Sequence, residues 1–193
     1  LSQNEINLII NKANIAQLDW GPLKLDRKLS IVDNFGSILK EKSKELSFLM
    51  ADEMGKPVSQ GKSEIDKCVL LCDYYIQNAI NILSDKNIET GYLKSYVSFQ
   101  PIGLILGVMP WNFPFWQVVR FAIPSLIAGN GILLKHASNV QSCANAIEAC
   151  FLEAGLPNHT FKNLQISSDM VDGILENNKI AGVAITGSEQ AGS

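Results

Sequence analysis

From Leu104 onward, short apolar runs alternate with longer segments of helical period, and few architectures can absorb that alternation. Leu104–Met109, Gly131–Lys135 and Ile180–Ile185 are too short for helices and nearly free of polar residues, so they predict strands buried on both faces. Phe161–Ile166 reads as a further strand. Between them lie predicted helices over Phe115–Ala128, ended by Gly129–Asn130, and over Ser138–Ala154, ended by Gly155–Pro157, with a short one over Met170–Glu176. Strands joined through helices run in the same direction. The expectation is an α/β fold, a Rossmann-like parallel sheet with helices on both faces.

Upstream, from Ser2 to Ser84, the period is helical throughout. Ile31, Phe35, Ile38 and Leu39 share one face, as do Leu46, Leu49, Met50 and Glu53 before a break at Gly55–Pro57. A long helix is predicted over Val58–Leu83, with Ile65, Val69, Cys72, Ile76 and Ile80 inward. The period then shifts to two. Over Tyr92–Gln100, Leu93, Ser95, Val97 and Phe99 alternate with Tyr92, Lys94, Tyr96 and Ser98, which predicts a strand with one wet face. The expected division is a helical part at 1–87, a strand segment at 88–101 and an α/β part at 102–193.

At 193 residues and 47% hydrophobic, the chain can bury a sizeable core. A net charge of −3 with scattered Lys and Arg argues against nucleic acid as a partner. No apolar run reaches spanning length, and no basic-then-apolar leader opens the chain, so neither membrane nor export is expected. Cys68 and Cys72 stand at i, i+4, and Cys143 and Cys150 at i, i+7, without the partners of a metal set. They read as reduced, buried thiols of a cytoplasmic protein, and no metal site is expected. The chain opens in a helical pattern without Met and stops at "TGSEQAGS", as a fragment would.

In open parallel sheets, ligands bind at the carboxyl ends of strands. Three such ends carry polar chemistry: "MPWN", "KHASN" and "TGSEQAG". The Gly187–Ser188 turn either caps the following helix or offers backbone N–H groups to a phosphate. Lys135, closing a buried strand, either reaches solvent or meets an anion, and Ser138 either caps a helix or faces the same ligand. Asn112 stands in "PWNFP", where Pro110 and Pro114 fix the backbone and Trp111 and Phe113 wall the turn. So braced, its amide could satisfy the turn itself or donate to a developing oxyanion.

"PWNFP" at 110–114, "LLKHASN" at 133–139, "EAGLP" at 153–157 and "ITGSEQAG" at 185–192 together resemble the aldehyde dehydrogenase superfamily, in order and spacing. "DEMGKP" at 52–57 matches a further family signature, and "FPFWQVVR" and "KHASNV" are most similar to bacterial succinate-semialdehyde dehydrogenases. The resemblance spans the chain. It implies NAD- or NADP-dependent oxidation of a small aldehyde to a carboxylate, by way of a thiohemiacetal and thioester, in a homo-oligomer, dimer or tetramer, built through the 88–101 segment. It assigns Asn112 to the aldehyde oxygen and oxyanion, Pro110 and Trp111 to the cofactor's side, Lys135 to the adenosine ribose, and Gly187 and Ser188 to the pyrophosphate. A serine at 138, where many NAD-preferring members carry glutamate, admits the 2′-phosphate of NADP.

The resemblance also places Phe113 and Arg120 at the substrate. Arg120 is the only charge between Pro110 and Lys135. It lies about 8 residues beyond Asn112, roughly 12 Å along a helix. Its guanidinium could reach solvent or capture the distal carboxylate of a four-carbon substrate. The family's nucleophilic cysteine and general-base glutamate fall beyond Ser193, and none of the four cysteines stands in the nucleophile's context. Two other readings stay open. One is an acylating or phosphate-linked reductase of the same superfamily, the other a non-catalytic nucleotide-binding or interaction module.

Overall fold

The computed structural model describes residues 1–192; Ser193, last of the 102–193 segment, lies outside the described residues. Four helices lead: α1 (Gln3–Trp20), α2 (Leu25–Glu41), α3 (Ser43–Met54) and α4 (Val58–Leu83). A two-residue hairpin pair follows, β1 (Lys86–Asn87) antiparallel to β2 (Tyr96–Val97). Then come β3 (Leu104–Met109), α5 (Trp116–Ile127), β4 (Gly131–His136), α6 (Gln141–Glu153), β5 (Phe161–Asn163), α7 (Val171–Leu175), β6 (Ile180–Ile185) and α8 (Glu189–Gly192).

The predicted parallel sheet is present, in the order β5-β4-β3-β6. The chain moves outward from β3 through β4 to β5, then crosses back to place β6 on the other side of β3. Each face has its own core. Leu104, Leu106 and Leu133 pack with Ile6, Ile10 and Ala13 of α1 and Ile174 of α7. Met109, Ile132 and Leu134 point the other way, into a larger core shared with α2 to α6. Period-two alternation along buried strands thus feeds two cores.

The first helix begins inside the chain, closed by a capping box between Ser2 and Glu5. It is fastened to the far end of α5: Trp20 Nε1 donates to the Leu126 carbonyl (2.9 Å) and Gln17 Nε2 to that of Gly129 (3.1 Å). The Leu126 carbonyl also accepts from the Gly129 N–H (2.9 Å), so the indole adds a second bond at the end of the helix.

Five expectations need correction. The strand at Ile180–Ile185, expected to be buried on both faces, alternates half-buried and exposed residues, because it stands at the edge of the sheet among the described residues. Ile80 faces outward, and Ala79 takes the buried place, because the drift of a 3.6-residue period over 26 residues carries the stripe past Ile80. The strand at 92–100 shrinks to Tyr96–Val97; with no layer packed on the two-residue ladder, both of its sides are exposed and Leu93 is entirely so. The Phe161–Ile166 strand ends at Asn163, where Leu164 makes one last bond to the Leu134 carbonyl before the chain turns. The helix expected from Ser138 begins as a 3-10 turn over Ser138–Val140, and the α-helix starts at Gln141. No helix among the described residues is long and apolar enough to cross a membrane.

Candidate active site

The strand order reverses between β3 and β6, and a cleft of about 270 Å³ opens there, at the carboxyl ends of both strands. Pro110, Trp111 and Asn112 line it from β3, Thr186, Gly187 and Ser188 from β6, and Gln117 from α5. A switch point is where an open α/β sheet leaves room for a ligand, because the two flanking connections run to opposite sides. Five of the nine residues singled out in the sequence therefore meet in one place, though Pro110–Asn112 and Gly187–Ser188 are far apart along the chain.

The other four stand around it. Arg120, exposed on α5, donates from Nη2 to Gln117 Oε1 (2.9 Å) and leans on Thr186 Oγ1 (3.5 Å), both residues of the cleft wall. It has no carboxylate partner among the described residues. Phe113 is turned away from the cleft, its ring under the Lys56 ammonium at 4.0 Å. Lys135, next to last in β4, donates to Ser168 Oγ (2.9 Å); burial holds its pKa below the usual lysine range. Ser138 lies exposed on the turn three residues on, and its hydroxyl caps no helix. Neither lines the cleft, but their strand is the immediate neighbour of β3.

The corner at 110–114 is held from below. His136 is fully buried; the Ala137 N–H donates to its Nδ1 (2.9 Å), which leaves Nε2–H to donate to the Pro114 carbonyl (2.9 Å). Burial pushes the imidazole pKa below its ordinary value, outweighing the backbone carbonyls that favour the charged form. Glu64 Oε1 accepts from the N–H groups of Phe115 (2.8 Å) and Trp116 (2.9 Å), capping α5, whose own N-cap residue, Phe115, has no acceptor to offer. Glu64 Oε2 is ion-paired with Lys56. One helix over, Glu53 caps α6 through the N–H groups of Ser142 (2.7 Å) and Cys143 (2.8 Å).

Sequence reading missed Ser168 and Glu64. Gln117, His136, Thr186, Glu53 and Lys56 stood inside quoted motifs without an assigned part. The four cysteines are buried, and burial pushes each thiol up, Cys72 to about 12 and Cys150 to about 11, so none is a ready thiolate.

Residues 1–193 match the model of the aldehyde dehydrogenase family. The chain is 40% identical over 192 residues to a Synechocystis protein named a probable NADP(+)-dependent succinate-semialdehyde dehydrogenase, covering 100% of this chain and 42% of that protein. It is 37% identical over 175 residues to the NAD(P)+ succinate semialdehyde dehydrogenase Sad of Escherichia coli K12, covering 91% of this chain and 38% of Sad. It superposes with a TM-score of 0.95, at 31% identity, on the Streptococcus pyogenes succinic semialdehyde dehydrogenase solved with NADP+, covering 99% of this chain and 42% of that one. The chain thus spans about two fifths of the length of the curated relatives it matches. With a family match over its whole length, a matching fold and the cleft at the family's motif, the chain belongs to the aldehyde dehydrogenase family.

Proposed function

We propose that this chain supplies the cofactor site and the oxyanion donor of an NAD(P)-dependent enzyme that oxidises succinate semialdehyde, or a similar small semialdehyde, to the carboxylate. The observation that carries the reading is the cleft at the β3/β6 switch point, with Asn112 in its wall and the Asn112 amide without a partner among the described residues. Asn112 Nδ2 donates to the aldehyde oxygen and holds the oxyanion of the thiohemiacetal as it forms. Arg120, with N–H groups still free, takes the distal carboxylate.

The residues in and around the cleft suit a dinucleotide. Lys135 is a nearly buried ammonium whose only partner among the described residues is the neutral hydroxyl of Ser168, so it has donors to spare for ribose or phosphate oxygens. Pro110 and Trp111 would flank the cofactor, and the Gly187–Ser188 turn would meet its pyrophosphate. Bound NAD(P) supplies the two-electron acceptor. Ser138 brings no charge against a 2′-phosphate, so NADP is accepted. In this reading 1–87 and 102–193 are the first part of the cofactor-binding domain of a cytoplasmic homo-oligomer, and the exposed 88–101 segment, with Tyr92, Leu93 and Val97 uncovered, is its assembly arm.

The test is steady-state oxidation by the whole protein of succinate semialdehyde with NADP+ and with NAD+. The free acid is expected as product, without coenzyme A or phosphate; a requirement for either transfers the assignment to an acylating or phosphate-linked reductase. Ser138→Glu is expected to shift preference toward NAD+ through repulsion of the 2′-phosphate. An unchanged cofactor ratio would leave Ser138 with no part in the choice.

A further inference from the structure

Asn112 makes no hydrogen bond of its own among the described residues, so the backbone that carries it sets the direction of its amide. That backbone is gripped just downstream, from three sides. His136 holds the Pro114 carbonyl, Lys56 lies over the Phe113 ring, and Glu64 holds the N–H groups of Phe115 and Trp116. Two of the three grips are one unit, because Lys56 and Glu64 form an ion pair with side chains 6% and 1% exposed. A buried ion pair is a poor source of stability, since well-packed apolar residues of equal volume often serve as well or better. What it does provide is a single geometry. Carboxylate to helix N-terminus is also the favourable polarity for the dipole of α5. The far end of that helix is pinned by Trp20 and Gln17, so α5 is not free to slide when its first turn is pulled.

We propose that Glu64 is a positioning residue for Asn112: its carboxylate, oriented by Lys56, clamps the first amides of α5 and so keeps the Asn112 amide aimed into the cleft. This rests on Asn112 being the oxyanion donor. The pair lies against the corner from beneath and lines no part of the cleft, so it acts through the backbone and not on the substrate.

The test is a double-mutant cycle in the whole protein with Glu64→Gln, Asn112→Ala and both together. It is read as kcat, as KM for succinate semialdehyde, as Kd for NADP+ and as amide hydrogen exchange at Phe115 and Trp116. Glu64→Gln is expected to lower kcat by roughly 10- to 100-fold, the loss that a misplaced reacting group brings. KM and Kd should hold within about two-fold, and exchange at the two amides should quicken. On the Asn112→Ala background the same change should cost less than about two-fold more, since the two act as one unit. An equal loss on both backgrounds makes Glu64 a scaffold residue and overturns the proposal. So does an undiminished kcat in the Glu64→Gln protein. If Asn112→Ala alone leaves kcat unchanged, the failure lies with the oxyanion reading. Should Glu64→Gln not fold, Lys56→Met, which keeps the carboxylate and its two N–H donors, must show the same kcat-selective loss, and a wild-type kcat there also ends the idea.

Discussion

An exposed amide flanked by two prolines and two aromatic rings is an expensive arrangement unless its direction matters. Asn112→Ala is expected to lower kcat by roughly 10²–10³-fold, the usual loss for one oxyanion donor, with NADP+ affinity little changed. A kcat within a few-fold of wild type would reduce Asn112 to a turn residue. Arg120 makes a separate prediction. Its Nη2 leans on Gln117 and Thr186, which leaves most of the guanidinium fork unengaged. Arg120→Leu is expected to raise KM for succinate semialdehyde by roughly 10-fold or more, a loss of about 1.4 kcal/mol upward, while sparing butanal. Equal losses on both aldehydes would point to a folding defect, and no loss on either to a plain surface charge.

Helix termini were where the sequence was hardest to read. Apolar runs gave β3 and β4 because a residue buried on both faces must be apolar whatever it packs against; β6 keeps its expected bounds but alternates half-buried and exposed residues. The cleft residues were legible because Pro, Trp and Gly-Ser chemistry is local to the turn. The caps were not. Ser138 looked like the start of α6, but its cap comes from Glu53, 89 and 90 positions away, and that of α5 from Glu64, 51 and 52 away. Nothing in the spacing of a lone glutamate on an amphipathic helix announces a distant amide. The strand at 92–100 failed for the opposite reason: its alternation is real, but no neighbouring layer turns the pattern into a ladder. Glu53→Ala is expected to destabilise the protein by about 1–2 kcal/mol through loss of the α6 cap. The loss should appear as a lower Tm with faster amide exchange at Ser142 and Cys143; unchanged exchange there would mean that the cap is replaceable.

Acid should unsettle the whole molecule in two stages. His136 is folded as the neutral ring, its Nδ1 occupied by the Ala137 N–H, and burial keeps its pKa below the ordinary 6.5. Below about 6.5 the unfolded chain therefore takes up a proton that the folded one refuses, and stability falls with pH until the folded pKa is passed. His159 shares this window, its pKa also lowered by burial and then by Lys12 and Lys162. Glu53 acts lower down. Burial raises its pKa, but the Cys143 and Ser142 bonds lower it more, to a net value below 4.5. Its contribution is complete above about 4.5 and is lost as pH falls through the depressed folded value. Tm measured against pH should begin to drop near 6.5, and His136→Gln should shrink that first decline. A flat Tm from neutrality down to about pH 5 would sink the account.

The order in which the strands are laid down has a consequence for synthesis. Because β6 follows α7 in the chain yet borders the cleft beside β3, a nascent chain that has emerged only as far as α7 holds Pro110–Asn112 without Thr186–Ser188 on the opposite wall. If the cleft is the dinucleotide site proposed above, binding should require Thr186–Ser188 to have cleared the ribosome, and not rise strand by strand before that. Arrested translation products ending before Ile180 should ignore NADP+, however well their first three strands have paired.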